Sequence, residues 1–174
     1  NSFNQESSLK GEIYNLMSIC YCNLSDYQKA IELNDNAISI FKANNDSTNL
    51  ASAYNNKGVI HNHMYEDAQS EKFLLEALKI NRAIKNLKGI SANLNNLCLY
   101  HGNLEKQKEY IQEAIIINKN LDAQWSLAEN YNNLGRLYIY EKDYDNANKA
   151  LKKAYTIANG IGAKGIICDN HEYL

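Results

Sequence analysis

Four sets of residues in this chain could do chemistry by their type and spacing. His61-Asn62-His63 suggests a metal pair, but side chains two apart on a helix point about 200° away from each other and cannot share an ion. Cys20 and Cys22 fail for the same reason, and their spacing is not that of a CxxC redox motif. Cys168 and His171 are three apart and share a helix face, yet two ligands do not complete a structural zinc site. The fourth set is asparagine, with 27 among 174 residues. An AT-rich genome inflates that number but does not put asparagine in phase. An amide carries two donors and an acceptor, so a regularly spaced row of them can hydrogen-bond the main chain of an extended peptide.

The phase is visible in one short block that occurs four times. It reads Tyr14-Asn15-Leu16-Met17-Ser18, Tyr54-Asn55-Asn56-Lys57-Gly58, Leu94-Asn95-Asn96-Leu97-Cys98 and Tyr131-Asn132-Asn133-Leu134-Gly135, at spacings of 40, 40 and 37. Ala37, Ala77, Ala114 and Ala154 form a second series, spaced 40, 37 and 40. The two series disagree only between Cys98 and Ala114, where three residues are missing. Three residues make about one helical turn, so a shortened helix or hairpin turn is expected there. An ungapped register, with Leu94 and Asn95 one turn later in the motif, is the alternative.

The elements that must position these residues are helices. The chain has no proline and eight glycines, which permits long uninterrupted helices. In the fourth period Leu127, Tyr131, Leu134 and Tyr138 share one face of a first helix, and Tyr144, Ala147, Leu151 and Ala154 share a face of a second. Asp143 lies between them as an N-cap, with Asp26 and Asn103 in the same place in periods one and three; Glu66, in period two, is a poorer cap. Each period is thus an antiparallel helical hairpin whose apolar face only a neighbour can cover.

These residues resemble the tetratricopeptide repeat: Tyr131, Leu134, Gly135, Tyr138, Ala147, Leu151 and Ala154 follow its order of large aromatic, Leu-Gly, Tyr, small Ala, bulky apolar and Ala. Tyr14, Met17, Ser18, Tyr21, Tyr27, Ala30 and Ala37 carry it in the first repeat; Tyr54, Gly58, Ser70, Leu74 and Ala77 in the second; the third is the weakest. The closing proline of the 34-residue repeat is absent, Asn159 standing in its place. The period of 40 is similar to the variety found in bacterial signalling and regulatory proteins. The resemblance implies an all-α fold: a right-handed superhelix, or α-solenoid, of four hairpins plus a partial fifth. One domain over 1–174 is expected, with repeats at 8–46, 47–87, 88–123 and 124–162 and a partial fifth at 163–174, as a piece of a longer protein.

The resemblance places the first helices on a concave groove, so the candidate peptide-binding residues are Asn15, Asn55, Asn56, Asn95, Asn96, Asn132, Asn133 and Arg136. Ile19, Val59 and Leu99 supply apolar spots beside them. A purely structural role, bonding backbone between hairpins, is the alternative for Asn56, Asn96 and Asn133. The expected function is a protein- or peptide-binding scaffold or sensor of a larger, bacterial regulator; the alternative is an oligomerisation scaffold using convex surfaces or the C-terminal edge. With 18 basic and 20 acidic residues the net charge of -2 leaves no footprint for nucleic acid or anionic membrane. No apolar run is long enough to span a bilayer. Four scattered cysteines fit a reducing compartment, and a cytoplasmic location is expected. No glycine-rich phosphate loop or nucleophile motif occurs, so neither enzyme activity nor a cofactor is expected.

Overall fold

The computed structural model describes residues 2–99 and 103–163. Every regular element among them is an α-helix: α1 (Ser2–Asn23), α2 (Tyr27–Ala43), α3 (Ser47–His63), α4 (Asp67–Ala83), α5 (Leu87–Leu97), α6 (Leu104–Asn120), α7 (Gln124–Tyr140) and α8 (Tyr144–Gly160). From α2 onward successive helices begin 20 residues apart, except that α6 starts 17 after α5. The missing three residues therefore fall where the two phased series disagree, and α5 has 11 residues where α3 and α7 have 17. No described helix is long and apolar enough to cross a membrane.

Two compact units divide the chain, Asn1–Asn96 and Leu97–Leu174. In the first, α1 pairs with α2 and α3 with α4, while α3 also packs on α2 and α1. In the second, α7 pairs with α8 and packs on α6.

The same three-residue turn follows α1 to α4 and α6 to α8. Its middle residue is left-handed at Ser25, Asn45, Tyr65, Lys85, Asp122, Lys142 and Gly162, with φ between 50° and 68°. The next residue's N–H then closes back on the last helical turn, as Asp46 does on the Phe41 carbonyl and Asp143 on the Tyr138 carbonyl, both at 2.9 Å. This six-to-one bond satisfies carbonyls that the helix end leaves free. At Asp26, Asp46 and Asp143 the residue that closes one helix also caps the following one, accepting from the backbone N–H three residues on, and Asn103 caps α6 in the same way. Glu66 makes no such bond, as its longer side chain suggests, and its carboxylate instead meets His61 Nδ1 at 2.6 Å.

Packing within hairpins depends on a small residue facing a large one. A Cβ added to Gly58 would lie 2.6 Å from Leu74 Cγ, and one on Gly135 would lie 2.7 Å from Leu151. Buried Ser18 and Cys98 hold the same place in the first and third repeats. Opposite them the large residues are Leu74, Ile111 and Leu151, but the first repeat has Asn34 there, fully buried. The phased alanines Ala37, Ala77, Ala114 and Ala154 are all inaccessible to solvent.

Candidate functional site

The asparagines of the repeated block lie on α1, α3, α5 and α7, the first helix of each hairpin. Helical periodicity alone sets them away from the hairpin's own core, but α3 packs on α1 as well as on α2, and this second neighbour covers part of that face. Asn15 is consequently buried; Asn132 is buried too, while Asn55, Asn56, Asn95, Asn96 and Asn133 are half-buried and Arg136 is exposed. Of the apolar spots, Ile19 and Leu99 are exposed and Val59 is half-buried.

Asn56 Nδ2 donates to Asn15 Oδ1 at 2.9 Å, and Asn96 Nδ2 donates to Asn55 Oδ1 at 2.8 Å. The second asparagine of one repeat thus holds the first asparagine of the repeat before it, 41 residues back. These bonds are between side chains, not to backbone.

A further set of buried amides, outside the repeated block, fixes which way the first row points. The chain of bonds begins at a backbone group, which can only donate. Gly89 N–H donates to Asn86 Oδ1 at 3.2 Å, so the other end of Asn86 is its Nδ2, which donates to Asn81 Oδ1 at 2.9 Å. Asn81 Nδ2 then donates to Asn93 Oδ1, and Asn93 Nδ2 to Asn55 Oδ1, both at 2.8 Å. Amide orientation is set by such networks, and this one forces the Asn55 carbonyl inward. Among the described residues its Nδ2 group has no partner. Asn15 is oriented likewise. Asn34 Nδ2 is pinned by the Ala53 carbonyl at 3.1 Å and also donates to Asn15 Oδ1 at 3.3 Å. Asn15 and Asn55 therefore keep their acceptors inside and turn their Nδ2 groups the other way. In the second unit Asn118 Nδ2 donates to Asn130 Oδ1 at 2.6 Å, and buried Asn132 Oδ1 finds no partner among the described residues.

The helical positions of Asn81 and Asn93 are filled by Asn118 and Asn130 in the next repeat, and by Phe41 and Ala53 in the one before. A junction between hairpins is thus closed either by a large and a small apolar residue or by two amides. Asn81 and Asn118, like Asn93 and Asn130, stand 37 apart. That spacing was the signal from which sequence reasoning could have found them.

The other candidates settle into packing. His61 is buried, stacked on Phe73 with ring centroids 5.2 Å apart, and His63 stacks on Tyr27. Burial pushes the Cys98 thiol up to about 12, the Arg136 charge pulling the other way. Burial also raises the Glu129 carboxyl above its usual value, against a bond from Trp125. No group of three His, Cys, Asp or Glu residues that could hold a metal ion occurs among the described residues. Cys168 and His171, with the partial fifth repeat, lie outside them.

On α1 and the turn that follows it a different face is apolar. Leu9, Ile13, Leu16, Cys20 and Leu24 recur every three or four residues and are all exposed, Leu16 by 62%.

A tetratricopeptide-repeat family model matches residues 10–83, and a second matches residues 128–160. No curated protein matches the chain. Among solved structures, BtubC (BKLC) from P. vanneervenii is similar at 22% identity with a TM-score of 0.78, over 90% of this chain and 66% of its own. Aspartyl phosphate phosphatase F from Bacillus subtilis is similar at 15% identity with a TM-score of 0.88, over 95% of this chain and 44% of its own. A signal transduction ATPase with numerous domains, which carries a tetratricopeptide repeat sensor and comes from Pyrococcus horikoshii, is similar at 25% identity with a TM-score of 0.81. The match covers 96% of this chain and 26% of that one. The fold is that of an α-solenoid of helical hairpins.

Proposed function

The chain belongs to the tetratricopeptide-repeat family, a scaffold for protein–protein interaction, and from that premise we propose that the asparagine-bearing face of its first helices binds a peptide or partner helix. The observation that carries this is the orientation of Asn15 and Asn55. Their carbonyls are held inward by two amide donors each, which leaves Nδ2 hydrogens for the carbonyl oxygens of a bound main chain. Asn56 and Asn96 act as the props of that row. Asn95, Asn132, Asn133 and exposed Arg136 complete the proposed binding face. The chain would serve as a single solenoid domain, the sensor or scaffold part of a larger, cytoplasmic, bacterial regulator. The similarity to a structure whose repeats are described as a sensor supports that part of the reading.

Asn55→Asp separates ligand contact from packing, because a carboxylate still accepts from Asn93 and Asn96 while its outward oxygen can no longer donate. Peptides selected from a random display library on the unaltered chain should bind the variant at least about tenfold more weakly, the worth of roughly 1.4 kcal/mol. Melting should shift by no more than about 2–4 °C. Unchanged peptide affinity would refute the reading.

The exposed stripe on α1 favours a second reading, in which the chain is an oligomerisation scaffold. Its spacing suits a helix–helix seam, and Leu16→Glu is expected to convert an oligomer to a monomer in light scattering across concentration. A concentration-independent monomer before the substitution sinks this alternative.

A further inference from the structure

A cavity of about 340 Å³ opens in the second unit, lined by residues of α6, α7 and α8. Leu127 and Tyr131 of α7 and Ile157 of α8 form an apolar floor. Lys119, Lys152 and Lys153 stand around it, and the ammonium groups of Lys119 and Lys153 lie 5.8 and 5.4 Å from the centre of the Tyr131 ring. None of the three lysines pairs with a carboxylate among the described residues, in a chain whose net charge is negative. Thr156, also at the rim, has already given its hydroxyl hydrogen to the Lys152 carbonyl at 2.8 Å. The charged donors left to a ligand are the three ammoniums, beside the Tyr131 hydroxyl.

The repeat supplies an internal control. The same helical positions in the first unit place Lys42 over Tyr54, at 5.5 Å from the ring centre, so one lysine–tyrosine contact is common to both. There, however, the carboxylates of Asp35 and Glu76 act on Lys42, and Asp35 also pairs with Lys57 at 2.5 Å. At the positions of Asp35 and Glu76 the second unit has Gln112 and Lys153. Two negative charges have been replaced by one amide and one positive charge, with the aromatic floor retained. Clustered ammoniums repel one another, and an unpaired cluster costs stability that an arriving anion recovers.

The geometry points to this cavity as a docking site for an acidic segment of a partner protein, one that sets an apolar side chain on the Tyr131 floor and flanking carboxylates against Lys119, Lys152 and Lys153. The floor selects a protein segment over a free inorganic anion, since most of what the cavity offers is apolar. Lysine also offers point charges without the planar fork that grips phosphate bidentately. The site is independent of the asparagine face, and neither stands or falls with the other.

The test uses a fluorescein-labelled peptide of twelve residues, with leucine at every fourth position among glutamates, titrated against the full chain by anisotropy. Saturable binding is expected, weakened at least about tenfold by Lys152→Gln combined with Lys153→Gln, and weakened by raising salt from about 50 to about 500 mM. Both lysines are exposed on α8, so the variant should fold. Lys42→Gln, in the corresponding place of the first unit, should leave binding unchanged. The proposal is overturned if the peptide does not bind, if the lysine pair is dispensable, or if Lys42→Gln has the same effect. It is also overturned if an all-glutamate peptide binds equally well, or if millimolar inorganic phosphate displaces the peptide at constant ionic strength.

Discussion

Asn93→Ala is expected to cost about 2–4 kcal/mol and to lower the melting temperature by on the order of 10 °C. Asn93 is almost wholly buried, accepts from Asn81 and donates to Asn55. Alanine strands the Asn81 Nδ2 group in a site closed to water, which costs the desolvation of a donor, and leaves a small void. The loss should be largely reversed by adding Asn81→Leu, because the first junction is closed by the large and small apolar pair of Phe41 and Ala53 at the same positions. Gly89 sits against the Asn81 amide, and the leucine has to turn from it toward the space that alanine vacates. Urea unfolding of the two single variants and the double variant measures the coupling. If Asn93→Ala loses less than about 0.5 kcal/mol, the amide relay is not holding the hairpins together.

The second large effect belongs to the contact inside the last hairpin. Leu151→Ala should cost about 2–5 kcal/mol, since Leu151 is buried and its removal opens a cavity against α7. Gly135→Ala in the middle of a helix would ordinarily gain about 1 kcal/mol from propensity. Here it should instead lose about 1–3 kcal/mol, because the new methyl meets Leu151 Cγ and Cδ2 at 2.7 Å. The double variant discriminates between packing and propensity. A methyl at position 135 fills part of the space left by Leu151, so the combined loss should fall short of the sum by about 1 kcal/mol or more. Strict additivity in calorimetric melting would mean that the two residues do not meet.

Much of the scaffold was legible because it rests on spacing. The two phased series located the shortened third repeat, Gly58 and Gly135 stood where the helices touch, and Asp26, Asn103 and Asp143 were readable as caps. The asparagine face was harder for a physical reason. A helical wheel describes one helix against one core, whereas α1 is covered on a second side by α3 of the hairpin that follows. That second contact buries Asn15, and it is tolerable because the amides satisfy one another. Asn34 was hidden for the same reason. It occupies the place of Leu74, Ile111 and Leu151, and nothing in its type announces a core position; its Nδ2 bonds to Asn15 and the Ala53 carbonyl offset part of the cost of burial, while its Oδ1 has no partner among the described residues. The lysine-rimmed cavity is not legible in the sequence because Lys119 is far from Lys152 and Lys153 along the chain, and each alone reads as a solvated charge.

Repeat arrays lengthen and shorten when recombination copies or removes whole periods, and the junction pairs decide which of those events this chain could survive. The stretch from α5 through α6 opens with Asn93 and ends with Asn118, so a tandem copy would set an amide against an amide. The stretch from α3 through α4 opens with Ala53 and ends with Asn81. Copying it would face Asn81 with alanine, and deleting it would drive Phe41 onto Asn93. The hairpins share a shape, but they are ordered like words with agreeing endings, and only one of these two can be repeated without a second mutation.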